Sequence, residues 1–152
     1  MQLLYRFIFG VILVYLCKKY HIQNYSYEII NTENTLGSFK KERNFYYVRF
    51  NPREHKSIGV VIDTAFHEFA HILQYEIIPE DTLDAWTKFI GNSHGPKYFY
   101  SAIEVAARVF AKTYGRVDMI EVFDDYEPIQ ACSPAILVAR GRRIARKYNV
   151  DH

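Results

Sequence analysis

Five consecutive residues, His67-Glu68-Phe69-Ala70-His71, bring two imidazoles and a carboxylate together at a spacing that suits a metal ion. The run around them has a helical pattern. Apolar residues at Val61, Ile62, Ala65, Phe66, Phe69, Ile72 and Leu73 recur three and four positions apart. Positions four apart share one helix face, so His67 and His71 can offer their rings to a single ion. Imidazole suits a borderline cation such as zinc. Glu68 follows His67 directly, which carries its carboxylate to the rim of such a site. From there it can take a proton from water as a general base. The bland alternative is a helix with two ordinary histidines and a solvated glutamate. It fits poorly, because the helix is otherwise apolar and buried polar groups need partners.

A catalytic zinc site needs a third protein ligand and an open position. Two residues compete for that place. Glu104 lies in a second helical run, Tyr98 to Ala111, whose apolar stripe is Ile103, Ala106, Ala107 and Phe110. His94 lies in the turn Gly91-Asn92-Ser93-His94-Gly95-Pro96 just before it. Each also has a plain reading, Glu104 as an exposed helical charge and His94 as an exposed loop residue.

The pentad followed by a helical glutamate resembles the gluzincin class of zinc metallopeptidases. Glu104-x-x-Ala107-Arg108-x-Phe110, with Tyr114 beyond it, is similar to the glutamate helix of compact peptidase domains in phage and mobile-element proteins. The His94-Gly95-Pro96 turn with Tyr98 resembles the SprT-type proteases, in which a histidine of an H-G-P turn is the third ligand. Those families place that histidine closer to the pentad. The resemblance covers the middle of the chain, about Leu36 to Tyr114. One departure stands out. Thermolysin-like gluzincins carry an aspartate four residues after the ligand glutamate, where it orients a histidine; here that residue is Arg108. Asp63, one turn before His67, is the substitute for that outer role. The resemblance implies peptide hydrolysis with zinc held by His67, His71 and Glu104, and Glu68 as general base. A second donor to the developing oxyanion comes from Tyr98, Tyr100, Tyr114 or His94.

Positioning those side chains requires a core. At 152 residues with 49% apolar composition, the chain is long enough for one domain with a real interior. Nineteen basic and 17 acidic residues give a net charge of +2, which carries no general nucleic-acid signal. The two cysteines, Cys17 and Cys132, form no C-x-x-C. They suggest a reducing compartment rather than a disulfide framework. Phe7 to Cys17 is apolar apart from Gly10. It reads foremost as a buried first helix packed on a sheet, with a membrane tether through residues 1–20 as the alternative. Lys18-Lys19 occupies the place where a signal peptide would have small residues. Strands are predicted over Tyr25–Ile30, Thr35–Phe39 and Phe45–Phe50, as an antiparallel meander with a charged turn from Lys40 to Asn44. The resemblance implies that an edge strand pairs with extended substrate, and Phe45–Phe50 is the expected edge.

Ser57 is a fair N-cap for the pentad helix, and His55 before it reads as solvated. Pro79-Glu80-Asp81 opens a short helix through Phe89, with Trp86 packed. Pro96 falls in the first turn of the Glu104 helix, which ends at Gly115. Val117–Phe123 is strand or helix. Ser133-Pro134 starts a last helix, Ala135 to Tyr148. Ile136, Leu137, Ile144 and Tyr148 lie on one side of it. Arg142, Arg143, Arg146 and Lys147 lie on the other, as a solvated face in preference to a nucleic-acid surface.

The expected fold is α+β: a compact zincin-like domain in which a small, mostly antiparallel sheet packs against the first helix, the pentad helix and the glutamate helix. The expected function is zinc-dependent hydrolysis of peptide or protein substrates, in a cytoplasmic or virion-associated setting. Its rivals are a non-catalytic zinc module with a structural or interaction role, and a SprT-type protease acting on DNA-bound proteins through His94.

Overall fold

The computed structural model describes residues 1–31, 34–90, 96–126 and 133–150. Element order is α1 (Gln2–Lys19), β1 (Tyr25–Ile29), β2 (Gly37–Glu42), β3 (Phe45–Phe50), a 3-10 turn at Pro52–Glu54, α2 (Ile58–Ile77), α3 (Glu80–Ile90), α4 (Pro96–Phe99), α5 (Ala102–Lys112), α6 (Met119–Asp124) and α7 (Pro134–Lys147). The class is α+β, as expected. The chain groups into two compact units, Met1–Ile72 and Leu73–His152, so that α2 runs from the first into the second.

The first unit is built on a three-stranded sheet of order β1-β3-β2. β2 and β3 form an antiparallel hairpin, with Phe39 opposite Val48 and Gly37 opposite Phe50. Arg43 takes a left-handed φ of 58° in the turn between them. β1 runs parallel to β3, pairing Tyr25 with Tyr46 and Ile29 with Phe50. The meander expectation is therefore corrected for β1. The seven residues from Ile30 to Leu36 exceed a tight hairpin loop and are long enough to carry β2 to the far side of β3. The expected edge, Phe45–Phe50, is corrected too, because β3 lies in the middle. Its Tyr46, Val48 and Phe50 are buried while Tyr47 and Arg49 between them are exposed, the alternation of a strand with one packed face. Among the described residues the edges are β1 and the charged β2, with Lys40, Lys41 and Glu42.

α1 buries Tyr5, Phe9, Leu13, Leu16 and Cys17. Phe9 stacks on Phe50 with ring centroids 4.1 Å apart, which seats the helix on the sheet. The first helix expected on the sheet is there, but only one of its faces is buried. No helix among the described residues is long and apolar enough to cross a membrane. Cys17 is free, and burial pushes its thiol up to about 12, so it serves packing; Cys132 lies outside the described residues.

His55 is not solvated, contrary to expectation. It is buried, its Nδ1 lies 2.7 Å from the Asn51 carbonyl oxygen, and its Nε2 lies 2.9 Å from Thr64 Oγ1 on α2. A carbonyl only accepts, so Nδ1 carries the proton. The link fastens the loop after β3 to the start of α2.

In the second unit α5 is the centre, burying Ala102, Val105, Ala106, Val109 and Phe110. The last turn of α2 meets it through Gln74, whose amide donates to the Ile103 carbonyl at 2.9 Å. Trp86 of α3 packs on Phe123 of α6, with centroids 4.3 Å apart. The undecided stretch Val117–Phe123 is helical from Met119, capped by Asp118, whose carboxylate accepts from Ile120 N at 3.0 Å. Pro96 opens a separate four-residue helix rather than the Glu104 helix, because Ser101 interrupts the run and caps α5. α7 starts as expected, with Ser133 accepting from Ile136 N and Pro134 in the first turn. It buries Gly141, Ile144 and Ala145 rather than Ile136, which is exposed. A β-carbon on Gly141 would run into the Tyr100 carbonyl, so glycine lets α7 approach that backbone closely.

Candidate metal centre

α2 starts where Ser57 Oγ accepts from Val60 N at 3.3 Å, and buries Val61, Ala65, Phe69 and Ile72. That buried stripe fixes the rotation of the helix and hence where its polar residues emerge. His67 and His71 emerge together: their Nε2 atoms are 3.3 Å apart, with ring planes at 85°. His71 is buried, and Phe39 of β2 lies against its ring with centroids 5.8 Å apart. Two nitrogens each about 2.0–2.1 Å from a tetrahedral ion are separated by about 3.3 Å, so the imidazoles are spaced as ligands of one zinc would be. The donor chemistry fits as well, since neutral imidazole is a normal zinc ligand.

Glu68 is also buried, at 6% exposure, in a helix position next to β2. A β-carbon on Gly37 would sit 3.3 Å from Thr64 Cγ2 and 3.5 Å from Glu68 Cγ, so the first residue of β2 rests directly on this face of α2. Asp63, expected to orient a histidine, is exposed, and its exposure lends that role no support.

In the second unit Glu104 is buried, at 8% exposure. Its backbone N–H donates to Ser101 Oγ, and its carboxylate accepts from the Tyr98 hydroxyl at 2.8 Å. Ser101-Ala102-Ile103-Glu104 matches the S-x-x-E capping box, in which the glutamate reaches back to the cap N–H. Here the Ser101 N–H donates instead to the Tyr98 carbonyl, and the Glu104 side chain is turned away to the Tyr98 hydroxyl. This box was the signal in the sequence that would have located the start of α5.

Of the expected oxyanion donors, Tyr98 is engaged with Glu104, and Tyr114 is exposed at the end of α5. Tyr100 lies beside the Arg108 and Arg142 guanidiniums. His94 lies outside the described residues. Arg108, four residues after Glu104, is a brace. It donates to the Val150 and Phe99 carbonyls and covers the Phe99 ring at 3.8 Å. No protein-family model, curated protein or solved structure matches the chain.

Proposed function

We propose that this chain is a zinc-dependent peptidase in which His67, His71 and Glu104 hold the ion and Glu68 is the general base. The observation that carries the reading is the 3.3 Å approach of the two histidine Nε2 atoms beside the buried Glu68. Support for Glu104 as third ligand comes from its own surroundings, since the carboxylate is buried on α5 and accepts from the Tyr98 hydroxyl at 2.8 Å. Zinc bound by this set supplies a Lewis acid for the scissile carbonyl and lowers the pKa of water. The protein's own part is positional and acid–base. Glu68 accepts a proton from the attacking water and returns it to the departing amine. The Tyr98 hydroxyl holds the Glu104 carboxylate in one orientation, the service an outer partner gives a ligand. β2, an edge strand among the described residues that rests on α2 at Gly37, is where an extended peptide can add as a further strand.

The test compares zinc content and cleavage of an unstructured protein substrate in three forms. Wild type is expected to hold one zinc and cleave. Glu68→Gln is expected to keep zinc and fold and lose about 100-fold or more of the turnover. The His67→Ala, His71→Ala double variant is expected to lose both. Equal zinc content in the double variant and wild type overturns the site. Zinc without cleavage in wild type turns the reading to a passive zinc module.

A further inference from the structure

α1 is apolar on two faces, and the sheet covers one of them. The other face carries Leu3, Leu4, Phe7, Val11, Val14 and Tyr15, all exposed, with Leu3 at 76% and Phe7 at 68%. At 100° per residue these six fall within an arc about 120° wide, running about 18 Å along the helix. A stripe of this size on a surface is a docking feature. Three facts narrow its occupant. The helix is not both long and apolar enough to cross a bilayer. Its only charges are Arg6, Lys18 and Lys19, all exposed, and the first acidic residue of the chain is Glu28, which is tied to Arg49 at 2.8 Å. Two copies meeting stripe to stripe would therefore bring cations against cations. Tyr15 and Tyr27 stand at the margin, the second across a shallow groove of about 470 Å³ lined by Phe7, Gly10, Val11 and Val14. Amphipathic aromatics and lysines around an apolar helical face are the composition of a helix lying in a membrane interface.

We infer that α1 docks the protein in the plane of an anionic lipid surface, with Phe7 and Val11 entering the acyl region and Arg6, Lys18 and Lys19 meeting the headgroups. This inference is independent of the zinc reading. The full chain is sedimented with vesicles of phosphatidylcholine alone and of phosphatidylcholine with about one-third phosphatidylserine. Binding is expected to the second, weaker by about tenfold or more to the first, and weakened by salt. Phe7→Ser with Val11→Ser is expected to weaken binding by about 100-fold or more, since two exposed side chains lose their apolar burial. Both positions are exposed, so the thermal midpoint should hold, while Phe7→Leu should retain binding. Lys18→Ser with Lys19→Ser should remove the phosphatidylserine preference. Absence of wild-type binding to either vesicle, or binding unchanged in the Phe7, Val11 variant, overturns the proposal. So does a dimer in sedimentation velocity that this variant dissociates, which would assign the stripe to a second copy.

Discussion

At Gly37 the backbone of β2 comes so close to its neighbours that a β-carbon would stand 2.8 Å from the Arg49 carbonyl oxygen. Gly37→Val should therefore cost about 1–3 kcal/mol through overpacking. Because the same position bears on Thr64 and Glu68, turnover by the proposed peptidase should fall further than stability alone explains. Denaturant midpoints and cleavage rates, measured on the folded fraction, separate the two effects. Glu104 offers a second residue-scale test. If it is a ligand, Glu104→Ala should weaken zinc by more than the roughly 10–100-fold typical of losing an outer partner. Tyr98→Phe, which removes the hydroxyl donated to Glu104, should weaken it within that range, and His94→Ala should leave zinc content intact. Zinc lost in His94→Ala and kept in Glu104→Ala, read by metal analysis, would reassign the third ligand.

At the scale of elements, three helices end in the same way. α1, α5 and α7 close with a 6→1 bond (Ile22 N to Cys17 O, Gly115 N to Phe110 O, Val150 N to Ala145 O) and a 5→2 bond inside it. This is the Schellman arrangement, which puts the residue after the cap in the left-handed region. Those residues are His21, Tyr114 and Asn149, with φ of 60°, 51° and 61°. Asparagine tolerates that region, whereas histidine and tyrosine bear a β-carbon penalty. His21→Gly and Tyr114→Gly should each raise stability by about 0.5–1 kcal/mol, and Asn149→Gly should change it little. Thermal midpoints decide this, and a loss in both glycine variants would count against the cap geometry. The starts of α2 and α7 were readable because Ser57 and Ser133 are local signals. The start of α5 is equally local, in the capping box Ser101–Glu104, but the helical pattern that begins at Tyr98 runs across it.

For the molecule as a whole, His55 sets a pH dependence. Burial holds its pKa below the ordinary 6.5, so the folded state resists protonation that the unfolded chain accepts. Between the folded value and 6.5 the unfolded state binds more protons, so stability is full above 6.5 and falls as pH drops through that window. The denaturation midpoint should therefore fall more between neutral and mildly acidic pH in wild type than in His55→Gln. Equal slopes would mean that His55 does not report on folding.

By itself the sequence determined what depends on near neighbours: the helical register of His67, Glu68 and His71, the serine caps, the first and third strands and the apolar first helix. These follow from side-chain periodicity and from hydrogen bonds that span three or four residues. The second strand is corrected, because Lys40, Lys41 and Glu42, expected to open a charged turn, pair with β3 as part of β2. Only the tertiary structure decided that β1 runs parallel to β3, that β3 is central, that His55 is buried and that Arg108 is a brace. Each depends on partners distant in the chain, such as Arg108 with Val150, and no local pattern encodes a partner 42 positions away. The two faces of α1 make the same point. Composition marks the helix as apolar all round, but which side the sheet covers is set by the Phe9–Phe50 contact, and the side left exposed follows from it.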